Sequence, residues 1–232
     1  MRHALVFISI FFFNVSYGQT FSYPAIELRG QSVTDFVPPG WTILDSAYGD
    51  LNKDGLIDAA IILQSKDSVS LINSSEDTVL TQPRILLLLF KNPEDKKFSL
   101  IEQSNSFVLT HNDSKMDDPY QGITINKGVL NINFHQFYNM GSWYTTNSTY
   151  KFRYNKKQFV LIGTELSTIH RATLDYEEYS YNFLTKKRNY TKGNDKNGNK
   201  KTSVRIFSLP SLKTLKTCKE PYSWEIETDV YL

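Results

Sequence analysis

The chain has 232 residues, with 26 basic side chains against 24 acidic ones and a net charge of +2. That balance makes no electrostatic case for a nucleic acid or an acidic surface as partner, and a single cysteine excludes an internal disulfide. The length suits one domain, or two small ones, with a core of its own.

The first eighteen residues have the pattern of a signal peptide. Arg2 and His3 give a short positive start, and Ala4 to Phe13 form an apolar stretch too short for a stable membrane anchor. Ser16 and Gly18 are small residues placed for cleavage before Gln19. The expectation is a signal over 1–18 and a single secreted or periplasmic all-β domain over 19–232. No later segment is apolar enough to span a membrane, since the run Ile85 to Phe90 is short.

Period-two alternation dominates the rest, and helical periodicity is nearly absent. A strand is predicted at Trp41-Thr42-Ile43-Leu44, followed by Asp50-Leu51-Asn52-Lys53-Asp54-Gly55-Leu56-Ile57-Asp58. Oxygen-bearing side chains occupy loop positions 1, 3, 5 and 9, with glycine at 6, which is calcium-loop spacing. Asp50, Asn52 and Asp54 can converge on one cation, Leu56 can offer its carbonyl, and Asp58 can close the site directly or through water. These hard oxygen ligands suit Ca2+ better than zinc or copper. A helical EF-hand needs a glutamate at position 12, where this chain has Ile61. The apolar run Ala59 to Leu63 reads as a buried strand instead, so the loop is expected to join two strands.

Gln64 to Gln82 is polar and reads as a surface insertion with a short paired piece at Val69 to Ile72. Arg84 to Phe90 and Phe98 to Ile101 are expected to pair around Asn92-Pro93-Glu94-Asp95, and Asp117-Asp118-Pro119 to form a turn. Gly122 to Phe134 is the clearest hairpin, turning at Lys127-Gly128. Tyr150, Phe152 and Tyr154 share one face, and Phe159 to Ile162 return after a turn. Tyr179, Tyr181 and Phe183 alternate again. Lys192 to Lys201 reads as an exposed hairpin tip, and Ser203 to Phe207 as the last strand. The strands group loosely in fours. The fold class is therefore all-β: an antiparallel meander arranged as propeller-like blades, a sandwich or a barrel.

Tyr48-Gly49-Asp50-Leu51-Asn52-Lys53-Asp54-Gly55-Leu56-Ile57-Asp58 followed by a strand resembles the calcium repeat of integrin-type propellers, the FG-GAP or VCBS repeat. The resemblance covers about twenty residues and occurs once, whereas propellers of that family repeat it. It implies calcium ligation by Asp50, Asn52, Asp54, the Leu56 carbonyl and Asp58, between strands. Arg84 to Leu88, Thr149-Tyr150-Lys151-Phe152-Arg153-Tyr154, Phe159 to Gly163 and Tyr181 to Thr185 also resemble a group of secreted bacterial proteins, with Lys186 where glycine is expected. That likeness bears on compartment and architecture and implies no chemistry.

Other candidates carry less. His111, His135 and His170 show no ligand spacing, and His135 shares a polar face with Asn131 and Asn133. Glu177 and Glu178 alternate and so point apart. Cys218 stands in no reactive motif. Sequons occur at Asn14, Asn73, Asn112, Asn147 and Asn189. Phe137, Tyr138, Trp143 and Tyr144 cluster in one loop, where capping of the sheet core is favoured over a glycan or protein contact. The lysines between Lys186 and Lys201 suit a solvated sheet edge. The expected function is a secreted calcium-binding all-β protein, a binding or scaffold module whose partner is a glycan or a protein. The alternative is a carbohydrate-active hydrolase using carboxylates that have no short motif; acids clustered in a cleft, with one pKa raised, would favour it, and an exposed aromatic loop without paired acids would favour binding.

Overall fold

The computed structural model describes residues 21–72 and 78–232. The expected signal segment 1–18, its cleavage point and the sequons at Asn14 and Asn73 lie outside the described residues. Among the described residues there are sixteen strands, the first eight being β1 (Arg29–Gly30), β2 (Trp41–Gly49), β3 (Asp58–Ser65), β4 (Val69–Ile72), β5 (Thr78–Thr81), β6 (Arg84–Lys91), β7 (Phe98–Ser104) and β8 (Tyr120–Asn126). The second half holds β9 (Val129–Phe137), β10 (Tyr144–Asn155), β11 (Gln158–His170), β12 (Asp175–Asn182), β13 (Lys187–Asn194), β14 (Asn199–Ile206), β15 (Glu225–Glu227) and β16 (Val230–Tyr231). One 3-10 turn covers Val33–Phe36.

The strands assemble into a five-stranded sheet of order β1-β7-β6-β3-β2 and a seven-stranded meander of order β14-β13-β12-β11-β10-β9-β8. All pairings are antiparallel. The two sheets face each other as a sandwich, and the grouping in fours is not how the strands pair. β3 skips the β4–β5 hairpin to pair with β6, so the polar insertion is a two-stranded outgrowth of the five-stranded sheet.

The apolar runs of β3 and β6 have a direct physical cause. Ala60, Ile62, Leu86, Leu88 and Phe90 point into the inter-sheet core, against Leu130, Ile132, Phe134, Phe152 and Phe159. Their alternates Ala59, Ile61, Leu63, Ile85, Leu87 and Leu89 point the other way, where Phe36, Trp41, Tyr23, Ile26 and Val37 cover them. The N-terminal segment is thus a third layer, and the two central strands are buried on both faces. At about 25 cal/mol per Å² of apolar surface, that second covered face is a large part of the driving force for a chain without disulfides. Cation and carboxylate also meet across the fold. The buried Arg84 guanidinium forms a bidentate pair with Asp118, donates 2.9 Å to Gln64 Oε1 and donates to the Leu109 carbonyl.

The C-terminal tail closes the sandwich. Leu161 N donates to the Lys213 carbonyl and Leu215 N to the Phe159 carbonyl, both at 2.8 Å. Leu209, Leu215, Cys218 and Leu232 enter the core. β15 and β16 lie beyond the last strand expected from the sequence. Among the described residues no helix is long and apolar enough to cross a membrane.

Candidate metal centre

The hairpin connection between β2 and β3 is the Asp50–Asp58 loop, and its ends are held by the core. Leu51 is 1% exposed and belongs to the inter-sheet cluster. Gly49 lies so close to Ile125 of the opposite sheet that a Cβ there would stand 2.5 Å from that side chain. Gly55 has φ of +85°, a left-handed conformation that glycine adopts without strain.

The loop oxygens turn inward onto shared backbone donors. Asp54 N donates to Asp50 Oδ1 at 3.1 Å and to Asn52 Oδ1 at 3.0 Å, Gly55 N to Asp50 Oδ2 at 2.9 Å, and Leu56 N to Asp54 Oδ1 at 2.8 Å. Asn52 Nδ2 donates 2.9 Å to Asp54 Oδ2. Asp50, Asn52 and Asp54 are therefore brought together as the spacing anticipates. Each carboxylate has four lone-pair sites, so these bonds leave acceptor capacity for a hard cation. Two carboxylates and an amide oxygen on one short exposed loop fit calcium in donor type.

Asp58 occupies a different position. It is fully buried; its Oδ2 accepts from Leu51 N at 2.9 Å and Asn52 N at 3.3 Å, and its Oδ1 from Lys91 N at 2.9 Å. Burial pushes its pKa above the ordinary value, against the lowering effect of these three donors. Asp58 thus ties the start of the loop and the end of β6 to the first residue of β3. Loop spacing marks it as an oxygen donor; the anchoring became visible only with Lys91, far along the chain.

The remaining candidates are distributed as follows. His135 Nδ1 lies 2.7 Å from Asn147 Oδ1 on the outer face of the meander. Glu178 pairs across from Ser167 and Thr191, whereas Glu177 pairs across from Thr168 and Lys192, so the two do point to opposite faces. Cys218 is buried, and its thiol is pushed up to about 11 by that burial. The favoured reading of the aromatic loop needs correction. Trp143 and Tyr144 are 65% and 55% exposed and do not cap the core, because β10 and β11 run past the end of the facing sheet.

No family model matches the chain, and neither a curated protein nor a solved structure shows significant similarity to it.

Proposed function

We propose that the protein is a secreted all-β binding module stabilised by one calcium ion. The observation that carries this reading is the convergence of Asp50, Asn52 and Asp54 on a loop whose ends are held in the core by Leu51 and Asp58. Asp50, Asn52 and Asp54 would hold the ion with side-chain oxygens and Leu56 with its carbonyl, and the positive charge would relieve repulsion between the carboxylates. Asp58 contributes through the loop it fixes, alongside its expected place in the ligand set. A rigid all-β scaffold with a clamped loop is a platform for recognition.

Two observations favour binding over the hydrolase alternative. Among the described residues the buried carboxylates are Asp58, committed to three backbone donors, and Glu102, 3.6 Å from Lys216. The cleft beside Tyr144 holds Asp175 and Glu177 instead: hydrogen bonds from Asn194 and Thr173 hold the Asp175 pKa below its ordinary value, away from the proton-holding acid a hydrolase needs, and Glu177 is paired with Lys192. The exposed rings of Trp143 and Tyr144 suit contact with a partner.

The test is the melting temperature of residues 19–232 with calcium and with chelator. For a site of about 10⁻⁴ M, a hundredfold excess of calcium stabilises by about 2.7 kcal/mol. Asp54→Ala should abolish that increment while leaving the melting point in chelator nearly unchanged. Calcium-dependent melting that persists in Asp54→Ala would refute the assignment.

A further inference from the structure

One end of the inward face of the seven-stranded sheet lies beyond the five-stranded sheet, beside Tyr222 and the segment Asp229, Val230 and Tyr231. Leu166 and Tyr179 mark the margin of the inter-sheet core. Two residues further along the same face come Thr168 of β11, Glu177 of β12 and, opposite it, Lys192 of β13. Here the sheet overhangs its partner and a cleft of 590 Å³ opens, lined also by Tyr144, His170 and Asp175. A second hollow of 300 Å³ shares Thr168 and Glu177 with the first and reaches Tyr231, which is 47% exposed. The two form one elongated groove, and their volumes fall at the scale of small-ligand sites.

The rim is preorganised. The Trp143 ring stacks on His170, with centroids 6.1 Å apart and planes 21° from parallel, and Tyr144 meets the same imidazole edge-on at 5.0 Å. Arg171 N donates 2.8 Å to the Trp143 carbonyl, Arg171 Nη2 donates to the Ser142 carbonyl, and the guanidinium sits 4.6 Å from the centre of the Phe137 ring. His170 Nδ1 accepts from Thr173 N at 3.1 Å, which leaves Nε2 as the donor of the neutral ring. One face of Trp143 is thus held open to solvent with little rotamer entropy left to lose on binding.

We propose that this groove binds a neutral oligosaccharide chain, a proposal that rests on the reading of the protein as a binding module. Sugar rings present a flat apolar face and a ring of hydroxyls. The groove offers the complement: the Tyr144 ring in its wall, the exposed Trp143 ring beside it on His170, and carboxylate, hydroxyl and imidazole N–H groups along its floor. Lys192 lies 3.2 Å from Glu177 and offsets it, while Asp175 keeps its negative charge with Asn194 Nδ2 donating to it at 2.7 Å, so the floor carries no net positive charge to attract an anionic polymer. An extended peptide is the poorer fit. Strands β10 to β13 are all interior, and their ladders leave no backbone edge for an added strand.

The experiment uses residues 19–232 and a fixed panel at about 1 mM: cellohexaose, laminarihexaose, mannohexaose, xylohexaose, maltohexaose and chitohexaose. Binding is followed by calorimetry and by protection of tryptophan fluorescence from acrylamide; Trp41 is buried, Trp224 half-buried and Trp143 exposed, and Trp143→Phe assigns the protected signal. At least one member should bind and shield Trp143. Trp143→Ala should weaken it by about tenfold or more, and Trp143→Phe by less. Trp143→Ala should melt like the parent and keep its calcium response, so loss of binding is separable from loss of the calcium site. Failure of every oligosaccharide to bind, or binding untouched by Trp143→Ala, overturns the proposal. Binding of a denatured protein digest in place of the sugars also overturns it and assigns the groove to peptide.

Discussion

Replacing Asp58 separates its anchoring role from metal ligation. The carboxylate accepts two well-formed backbone bonds, from Leu51 N and Lys91 N at 2.9 Å, and a longer one from Asn52 N at 3.3 Å. Bonds to a charged acceptor contribute about 1.5–3 kcal/mol each. Burial of the charge offsets part of that gain, as the raised pKa of Asp58 indicates. Asp58→Ala then leaves Leu51 N and Lys91 N without partners in a site closed to water, a net loss of about 3 kcal/mol. In a domain of this size that corresponds to a fall of about 6–12 °C in melting temperature. The assay is thermal unfolding by circular dichroism in chelator, where calcium contributes nothing. Asp54→Ala serves as the control, because Asp54 is exposed and accepts only within the loop. Should Asp58→Ala be too unstable to isolate, Asp58→Asn keeps the shape and one acceptor oxygen and should fall between Ala and the parent. Equal melting of Asp58→Ala and Asp54→Ala in chelator would refute the anchoring role.

The other expectations concern buried titratable groups. Burial raises the Glu102 pKa despite Lys216 3.6 Å away, so its ionised form opposes folding above the ordinary glutamate range of about 4–5. Glu102→Gln should therefore melt higher than the parent at pH 7, with the difference vanishing toward pH 4; a lower melting point at pH 7 would contradict this. The Cys218 thiol is 2% exposed and pushed up to about 11, so an aromatic disulfide reagent at pH 8 should label it only after unfolding, and rapid labelling of the native protein would contradict its burial.

The parts of the fold that were legible are those governed by local rules. The Lys127-Gly128 turn, the alternation of Tyr150 and Phe152, and the apolar runs after Asp58 and from Arg84 all report a single strand or hairpin, and each strand forms where expected. The partition into sheets of five and seven was not legible. It depends on β3 reaching across the β4–β5 outgrowth to β6, and alternation along one strand does not specify its neighbour. The N-terminal layer escaped notice because Tyr23, Ile26 and Phe36 contribute isolated side chains from a segment with almost no regular structure. Asp118 read as a turn residue because a carboxylate beside proline carries that signal; its pairing with buried Arg84 is a long-range fact. In the loop, spacing identified Asp50, Asn52 and Asp54 as a convergent set. Residue type alone did not distinguish them from Asp58, whose oxygens also accept from the backbone of Leu51, Asn52 and Lys91 and so anchor the loop.

The same mismatch between the two sheets explains both the stability of the sandwich and the place of its cleft. β10 and β11 have 12 and 13 residues, whereas β3 and β6 opposite them have 8 each. At about 3.4 Å per residue, the difference leaves an overhang of roughly 15 Å. Within the overlap the inward side chains are apolar and buried, as at Tyr150, Phe152 and Leu161. Past the overlap the same face changes to Thr146, Thr168, Glu177 and Lys192, polar groups suited to water or to a ligand rather than to another sheet. The switch in composition follows the edge of the covering sheet, where the neighbours are Tyr222 and the segment Asp229, Val230 and Tyr231 rather than a second apolar sheet face. Trp143 and Tyr144 break that rule at the rim. Their exposure is costly in a chain that places Tyr150 and Phe152 of β10 in the core, and contact with the flat face of a bound sugar ring is the compensation under the proposal above.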